Sequence, residues 1–231
     1  RRVLFRSRIK DIEIGPDSSN AAGLTNVGGT LYFSANDGAA GTELWKSDGT
    51  DSGTVRVKDI QSGPFGSNPF LFTNAGGTLF FIADDGVTGG ELWKSDGTDS
   101  GTVRVKDIAS GLSGSGPALL TNVNGTLFFS ANDGTTGFEL WKRDGTDSGT
   151  VRVKDINSGP FGSAPAYLVN IGGQLFFIAN DGTTGPGLWK TDGTDSGTVR
   201  VKDISSGPFG LVPASLTNVS GRLFFVASDE A

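Results

Sequence analysis

The 231-residue chain contains no cysteine, no histidine and no methionine. Each absence removes a chemistry. Without cysteine there is neither a disulfide framework nor a thiol nucleophile, and without histidine there is no His-based triad and no Cys/His zinc site. Carboxylates, hydroxyls and lysines are the reactive groups left. A helical 3.6-residue period is also missing. A complete translated chain normally starts with methionine, so the sequence is expected to be a fragment, in which no signal peptide or membrane span can be read.

What is present is turn chemistry and repetition. Glycine (37) and proline (9) make up about a fifth of the residues, turn-rich but short of the level typical of disorder. Sixteen Phe, four Trp and two Tyr supply a core. Trp45, Trp93, Trp141 and Trp189 are evenly spaced, and Lys-Asp-Ile recurs at the same interval from Lys10, Lys58, Lys106, Lys154 and Lys202, which defines a 48-residue repeat. The run DGTDSGTVRVKDI is identical in four copies, starting at Asp48, Asp96, Asp144 and Asp192.

Each repeat divides into four strand candidates separated by glycine-marked turns. In the second copy these are Phe70 to Ala75, Thr78 to Ala83, Glu91 to Ser95 and Thr102 to Asp107. Asp-Gly between β-branched or aromatic runs is a strong hairpin signal. Both faces of the second strand are apolar (Leu79 and Phe81 against Phe80), so a sheet of this kind needs neighbours stacked on it. The pattern predicts an all-β chain: a β-propeller of four-stranded antiparallel blades in an incomplete ring of about five. A β-solenoid is the competing architecture. Blade repeats fall at 14–61, 62–109, 110–157 and 158–205, with a partial copy at 206–231.

The segment Glu43-Leu44-Trp45-Lys46-Ser47-Asp48-Gly49-Thr50 and the copies starting at Glu91 and Glu139 resemble the bacterial ELWxxDGT repeat, often labelled hyalin-like. The fourth copy departs from it as Gly187-Leu188-Trp189. The resemblance implies a repeat from large, secreted or surface-attached bacterial polypeptides, and it brings no enzymatic activity and no catalytic residue. Residues 1–7 (RRVLFRS) lie outside the repeat and resemble a translated sequencing adapter, or else a divergent leading strand. Without their three arginines the net charge moves from −6 to −9. The repeat array then spans 8–231.

Candidate sites follow from the repeated residues. The four tryptophans suit inter-blade packing or ligand stacking. Asp37, Asp85, Asp133 and Asp181, in the turn after the second strand, and Asp59, Asp107, Asp155 and Asp203, closing the fourth, suit either turn capping or calcium. Asn26, Asn74, Asn122, Asn170 and Asn218 are placed to bond local backbone at the first turn. Arg56, Lys58 and their counterparts are expected on a solvated outer edge. Nearly every acid is a repeat copy, whereas a glycosidase needs two distinct carboxylates. Net acidity argues against nucleic acid.

Differences between copies concentrate after each Lys-Asp-Ile and after the Asp-Gly turn, two connections that leave a four-stranded sheet at the same end. Phe65, Phe161 and Phe209, each after Gly-Pro, are candidate ligand anchors there. The sequence therefore points to a non-enzymatic extracellular or cell-surface module. It would bind a protein or carbohydrate ligand, act in adhesion, and be a monomeric propeller within a larger chain. A structural spacer and a carbohydrate-active enzyme are the alternative readings.

Overall fold

The computed structural model describes residues 8–143, 146, 148–202 and 214–227. Among them there is no helix, and eighteen strands form four four-stranded antiparallel sheets and one two-stranded sheet. The first sheet is β1 (Ala22–Val27), β2 (Thr30–Asn36), β3 (Thr42–Ser47) and β4 (Val55–Lys58). The second is β5 (Phe70–Ala75), β6 (Thr78–Asp84), β7 (Gly90–Ser95) and β8 (Val103–Arg104). The third is β9 (Ala118–Val123), β10 (Thr126–Asn132), β11 (Phe138–Arg143) and β12 (Val151–Arg152). The fourth is β13 (Ala166–Ile171), β14 (Gln174–Asn180), β15 (Pro186–Thr191) and β16 (Val199–Lys202), and β17 (Ala214–Val219) with β18 (Arg222–Val226) makes the fifth. Strands in each sheet lie side by side in chain order. The all-β, four-strands-per-repeat expectation holds. The chain divides into two compact units, Arg1–Arg104 and Val105–Ala231, taken separately below.

The fourth strand is shorter than the sequence pattern suggests, with four residues in β4 and β16 and two in β8 and β12, and in the first and fourth sheets it carries a bulge. In the first sheet Leu44 faces Lys58 while Trp45 faces Arg56, so one extra residue, Val57, is squeezed out of the ladder. Val57 turns inward and is buried. The first strand carries a second bulge. Ala22 faces Ser34 but Thr25 faces Tyr32, and the second residue of each first strand is left-handed: Gly23 (φ 69°), Leu71 (53°), Leu119 (60°), Tyr167 (52°) and Ser215 (57°).

Both faces of β2 and its counterparts are used. In the N-terminal unit Tyr32, Leu44 and Val57 on one side of the first sheet pack against Leu79, Phe81, Ala83 and Trp93 of the second. In the C-terminal unit Phe128, Leu140 and Val153 meet Leu175, Phe177, Ala179 and Trp189 in the same way, and Ile178 and Leu188 of the fourth sheet meet Leu216 of the fifth. Phe81, Phe129 and Phe177 are fully buried, and truncating one to alanine costs about 3–5 kcal/mol.

Polar contacts fix the spacing of these sheets. The turn asparagine does more than cap its own turn: Asn170 Oδ1 accepts the Gly173 N–H at 3.1 Å while its Nδ2 donates to Asn122 O, 48 residues back, at 3.1 Å. Asn218 repeats the rung to Asn170 O at 2.8 Å, and Asn74 to Asn26 O at 3.3 Å. Lysines expected in solvent also bridge sheets: Lys58 Nζ donates to Asp99 O at 3.1 Å and Lys154 Nζ to Asp195 O at 3.2 Å. Asn170→Asp keeps the turn acceptor and removes the rung donor. It is expected to lower unfolding stability by about 1 kcal/mol in a denaturant titration, and wild-type stability would show that the rung carries no energy.

Candidate interaction surface

The two connections that vary between repeats meet at one end of each sheet. After β4 the chain runs 59–69 before entering β5, and the centre of this loop is clamped between neighbouring sheets. Asn68 N–H donates to Thr42 O at 3.0 Å, and Asp84 N–H donates to Ser67 O at 3.1 Å. Gly66 lies back to back with Gly41, whose φ is +69° and whose Cβ would stand 2.6 Å from the Phe65 carbonyl carbon. No side chain fits at either glycine. Gly137 and Gly162 repeat this approach in the C-terminal unit.

The anchor of the loop is a buried carboxylate. Glu43 is wholly excluded from solvent, and its oxygens accept the N–H groups of Ile60 (3.2 Å), Gln61 (3.1 Å) and Ser67 (2.9 Å) and the Ser67 hydroxyl (2.6 Å). Glu139 does the same with Ile156, Asn157 and Ser163. One acid thus satisfies four donors of a loop that lies outside any sheet ladder. Burial pushes both glutamates above the usual carboxylate range, against the pull of the serine hydroxyl and backbone N–H donors. Their ionisation therefore withdraws stability as pH rises from the ordinary glutamate range through the folded pKa.

The sequence pattern treats this glutamate as a dispensable motif letter. Its partner shows why the fourth copy can lose it: Glu43 pairs with Ser67 and Glu139 with Ser163, each 24 residues on, and where Gly187 replaces the acid, Leu211 stands in the serine's place. Leu211 itself lies outside the described residues. Arg200 has moved in beside Gly187, its Cζ 2.6 Å from where a Cβ would sit.

The aspartates of the second turn are also occupied. Asp37 Oδ1 accepts the N–H groups of Ala39 (3.0 Å) and Ala40 (2.8 Å), and its Oδ2 meets Arg56 at 3.1 Å. Arg56 also reaches Asp59 at 3.6 Å, so a half-buried guanidinium lies between the two acids considered for calcium. The solvated-edge expectation for Arg56 is thereby corrected. Arg152 joins Asp133 (3.8 Å) and Asp155 (3.4 Å) likewise, while Arg104 meets Asp85 at 3.3 Å and Arg200 meets Asp181 at 3.0 Å. Asp107 has its own partners, and Asp203 lies outside the described residues. No group of three or more acids placed for a metal occurs among the described residues. Partial burial alone would raise Asp133, but the N–H groups of Thr136 and Thr135 and their hydroxyls outweigh it and hold the carboxyl down at about 2. Asp37, Asp85 and Asp181 are lowered for the same kind of reason. These groups contribute stability above the ordinary aspartate range that is lost as pH falls through their folded values.

The candidate anchors are exposed. Phe65 of the N-terminal unit is 80% exposed and Phe161 of the C-terminal unit 88%, while Phe209 lies outside the described residues. Beside them the two variable connections touch, since Gln61 packs on Gly86 of the next Asp-Gly turn and Asn157 on Gly182. The tryptophans are elsewhere. Trp45, Trp93, Trp141 and Trp189 are buried, and the last three donate Nε1–H to the carbonyls of Ala83, Ala131 and Ala179 at 3.1 Å. No ring face is open to a ligand, so the stacking reading gives way to packing.

No family model matches the chain, and no curated protein matches it in sequence. Among solved structures it is similar to puromycin hydrolase, at 17% identity and a TM-score of 0.52 over 90% of this chain. It also matches the computationally designed Ika8 protein, at 14% identity and 0.48, over 95% of this chain and 61% of that one. The chain spans about a third of the puromycin hydrolase length. At such identity the likeness speaks to fold alone.

Glu43→Gln leaves an amide N–H2 facing backbone donors and is expected to cost about 1–3 kcal/mol in chemical denaturation. Glu43→Gly with Ser67→Leu should cost less than the sum of the two single changes, and strict additivity would show that the pair is not a unit. In acid titrations followed by circular dichroism, Asp133→Asn should flatten the stability loss between about pH 4 and pH 2.

Proposed function

We propose that the chain is a non-enzymatic binding module of β-propeller type. It works outside the cell or on a bacterial surface, where adhesive loops recognise a protein or carbohydrate. The observation that carries this reading is the pair of exposed phenylalanines, Phe65 and Phe161, on loops whose bases are locked by buried Glu43 and Glu139. An exposed aromatic on a mobile loop would lose ordering entropy on binding, whereas a pre-fixed one loses little. Surface loops on a rigid scaffold are where binding residues concentrate. The resemblance of the ELW segments to repeats of large secreted polypeptides supports the extracellular setting, and the stacked four-stranded sheets support the propeller.

The hydroxyls and carboxylates near the loops are repeat copies engaged in turns, locks and ion pairs. An asymmetric reaction centre would need residues that differ between repeats. Calcium has no role in this reading.

Phe65→Ser combined with Phe161→Ser is expected to leave the thermal midpoint within about 2 °C and to abolish signals that the wild-type chain gives on glycan and protein arrays. Equal array signals from both proteins would remove the phenylalanines from the site. Puromycin and a hydrolase substrate panel should show no turnover, and turnover by the wild-type chain would defeat the non-enzymatic reading. Chelator should leave the thermal midpoint unchanged, because an ion bound only by the folded state raises stability.

A further inference from the structure

The first hairpin of each sheet keeps one shape while a single residue at its tip changes. That residue is left-handed in every copy, as Gly28 (φ 59°), Gly76 (61°), Asn124 (51°), Gly172 (59°) and Ser220 (51°). Glycine is the unstrained choice there, and asparagine is one of the few other residues that tolerate the region. The turn asks nothing of this side chain. It is capped from two residues earlier, where Asn122 Oδ1 accepts the Gly125 N–H at 2.8 Å, as Asn26, Asn74, Asn170 and Asn218 do in their own copies. Asn124 is thus a carboxamide without a structural task. It is exposed, its side chain lies over Gly173 of the next sheet, and its amide makes no hydrogen bond among the described residues.

The sequence holds two Asn-x-Ser/Thr triplets, Asn124-Gly125-Thr126 and Asn218-Val219-Ser220. Such a triplet, with x other than proline, is the acceptor signal for asparagine-linked glycans on exposed segments. Both lie at the same hairpin, one repeat pair apart, but they put different asparagines forward. Asn218 is the capping residue. Its Oδ1 accepts the Gly221 N–H at 2.9 Å and its Nδ2 donates to Asn170 O at 2.8 Å, so a transferase must first pull that nitrogen out of the rung. Asn124 is the tip residue, and its nitrogen is open to reaction.

We propose that Asn124 is an acceptor for an asparagine-linked glycan. In the transfer Asn124 Nδ2 forms a bond to the anomeric carbon of a glycosyl phosphate donor. The bond from that carbon to the phosphate oxygen breaks with its electron pair staying on the phosphate, and one amide proton passes to the transferase. The β9–β10 hairpin leaves its sheet at the end opposite the variable loops, so the glycan stands clear of Phe161 and the modification does not depend on the ligand reading.

The test incubates the folded 231-residue chain in two arms and reads the sites by peptide mass mapping. One arm supplies UDP-glucose with a soluble N-glycosyltransferase, the other a lipid-linked oligosaccharide with a membrane oligosaccharyltransferase, and the arm that loads the chain identifies the donor. Wild-type chain should gain sugar at Asn124 and stay bare at Asn218. Asn124→Gln and Thr126→Val should each abolish the gain with unchanged circular dichroism. A chain that stays bare at Asn124 in both arms overturns the proposal. So does transfer that survives Thr126→Val, or equal sugar at Asn218, which would remove the structural ground for singling out Asn124.

Discussion

The constraint behind this structure is that the second strand of every repeat is apolar on both sides. Tyr32 and Phe33 are adjacent, point to opposite faces and are both buried. A single four-stranded sheet cannot shield both, so its stability is borrowed from the sheets beside it. Each repeat is thus incomplete as a folding unit, and its polar groups are placed where they govern how one sheet meets the next. The asparagine rungs, the lysine contacts and the glutamate locks reach across repeats, and they surround the apolar seam on several sides.

The uniform and the variable parts of the repeat have different physical origins. The DGTDSGT turn is identical in each copy because it is a closed hydrogen-bond circuit. Asp48 Oδ1 accepts from Thr50 N–H and hydroxyl, Thr50 Oγ1 accepts from Gly53 N–H, and Thr54 Oγ1 bonds both Thr50 O and Ser47 Oγ. Changing one member strands another. At the other end of the sheet the loop is fixed at its base by Glu43, the Gly41–Gly66 approach and two backbone bonds, which leaves residues such as Phe65 free to differ.

Strand positions, hairpin turns and the all-β class were legible in the sequence because they depend on local chemistry: β5 spans the predicted Phe70 to Ala75 to the residue. The short β8 was not, because its ladder ends at Arg104 while the Val-Arg-Val-Lys alternation runs on unchanged past that residue. The exposed phenylalanines were legible from the Gly-Pro context. The glutamate lock was hidden because its partners are backbone N–H groups, which any sequence supplies, and one serine that belongs to the following repeat. The sole written trace is the joint replacement of Glu and Ser by Gly187 and Leu211. Arg56 misled for a related reason: alternation with valine placed it outside, but two carboxylates from separate turns draw it in.

The lock has a consequence for how such arrays grow and shrink. Its acid lies on the third strand of one repeat and its serine in the loop that opens the next, so the two halves are inherited as a 24-residue span rather than as parts of one repeat. Unequal crossing-over that inserts or deletes one whole repeat keeps every acid with a serine if both parents carry the pair. A crossover inside that span between a Glu–Ser parent and a Gly–Leu parent leaves a buried carboxylate facing leucine, or a serine and three N–H groups facing none. Selection on such recombinants would cluster surviving junctions outside the loop, and the segment that displays the exposed aromatic would travel through duplications intact with its own anchor.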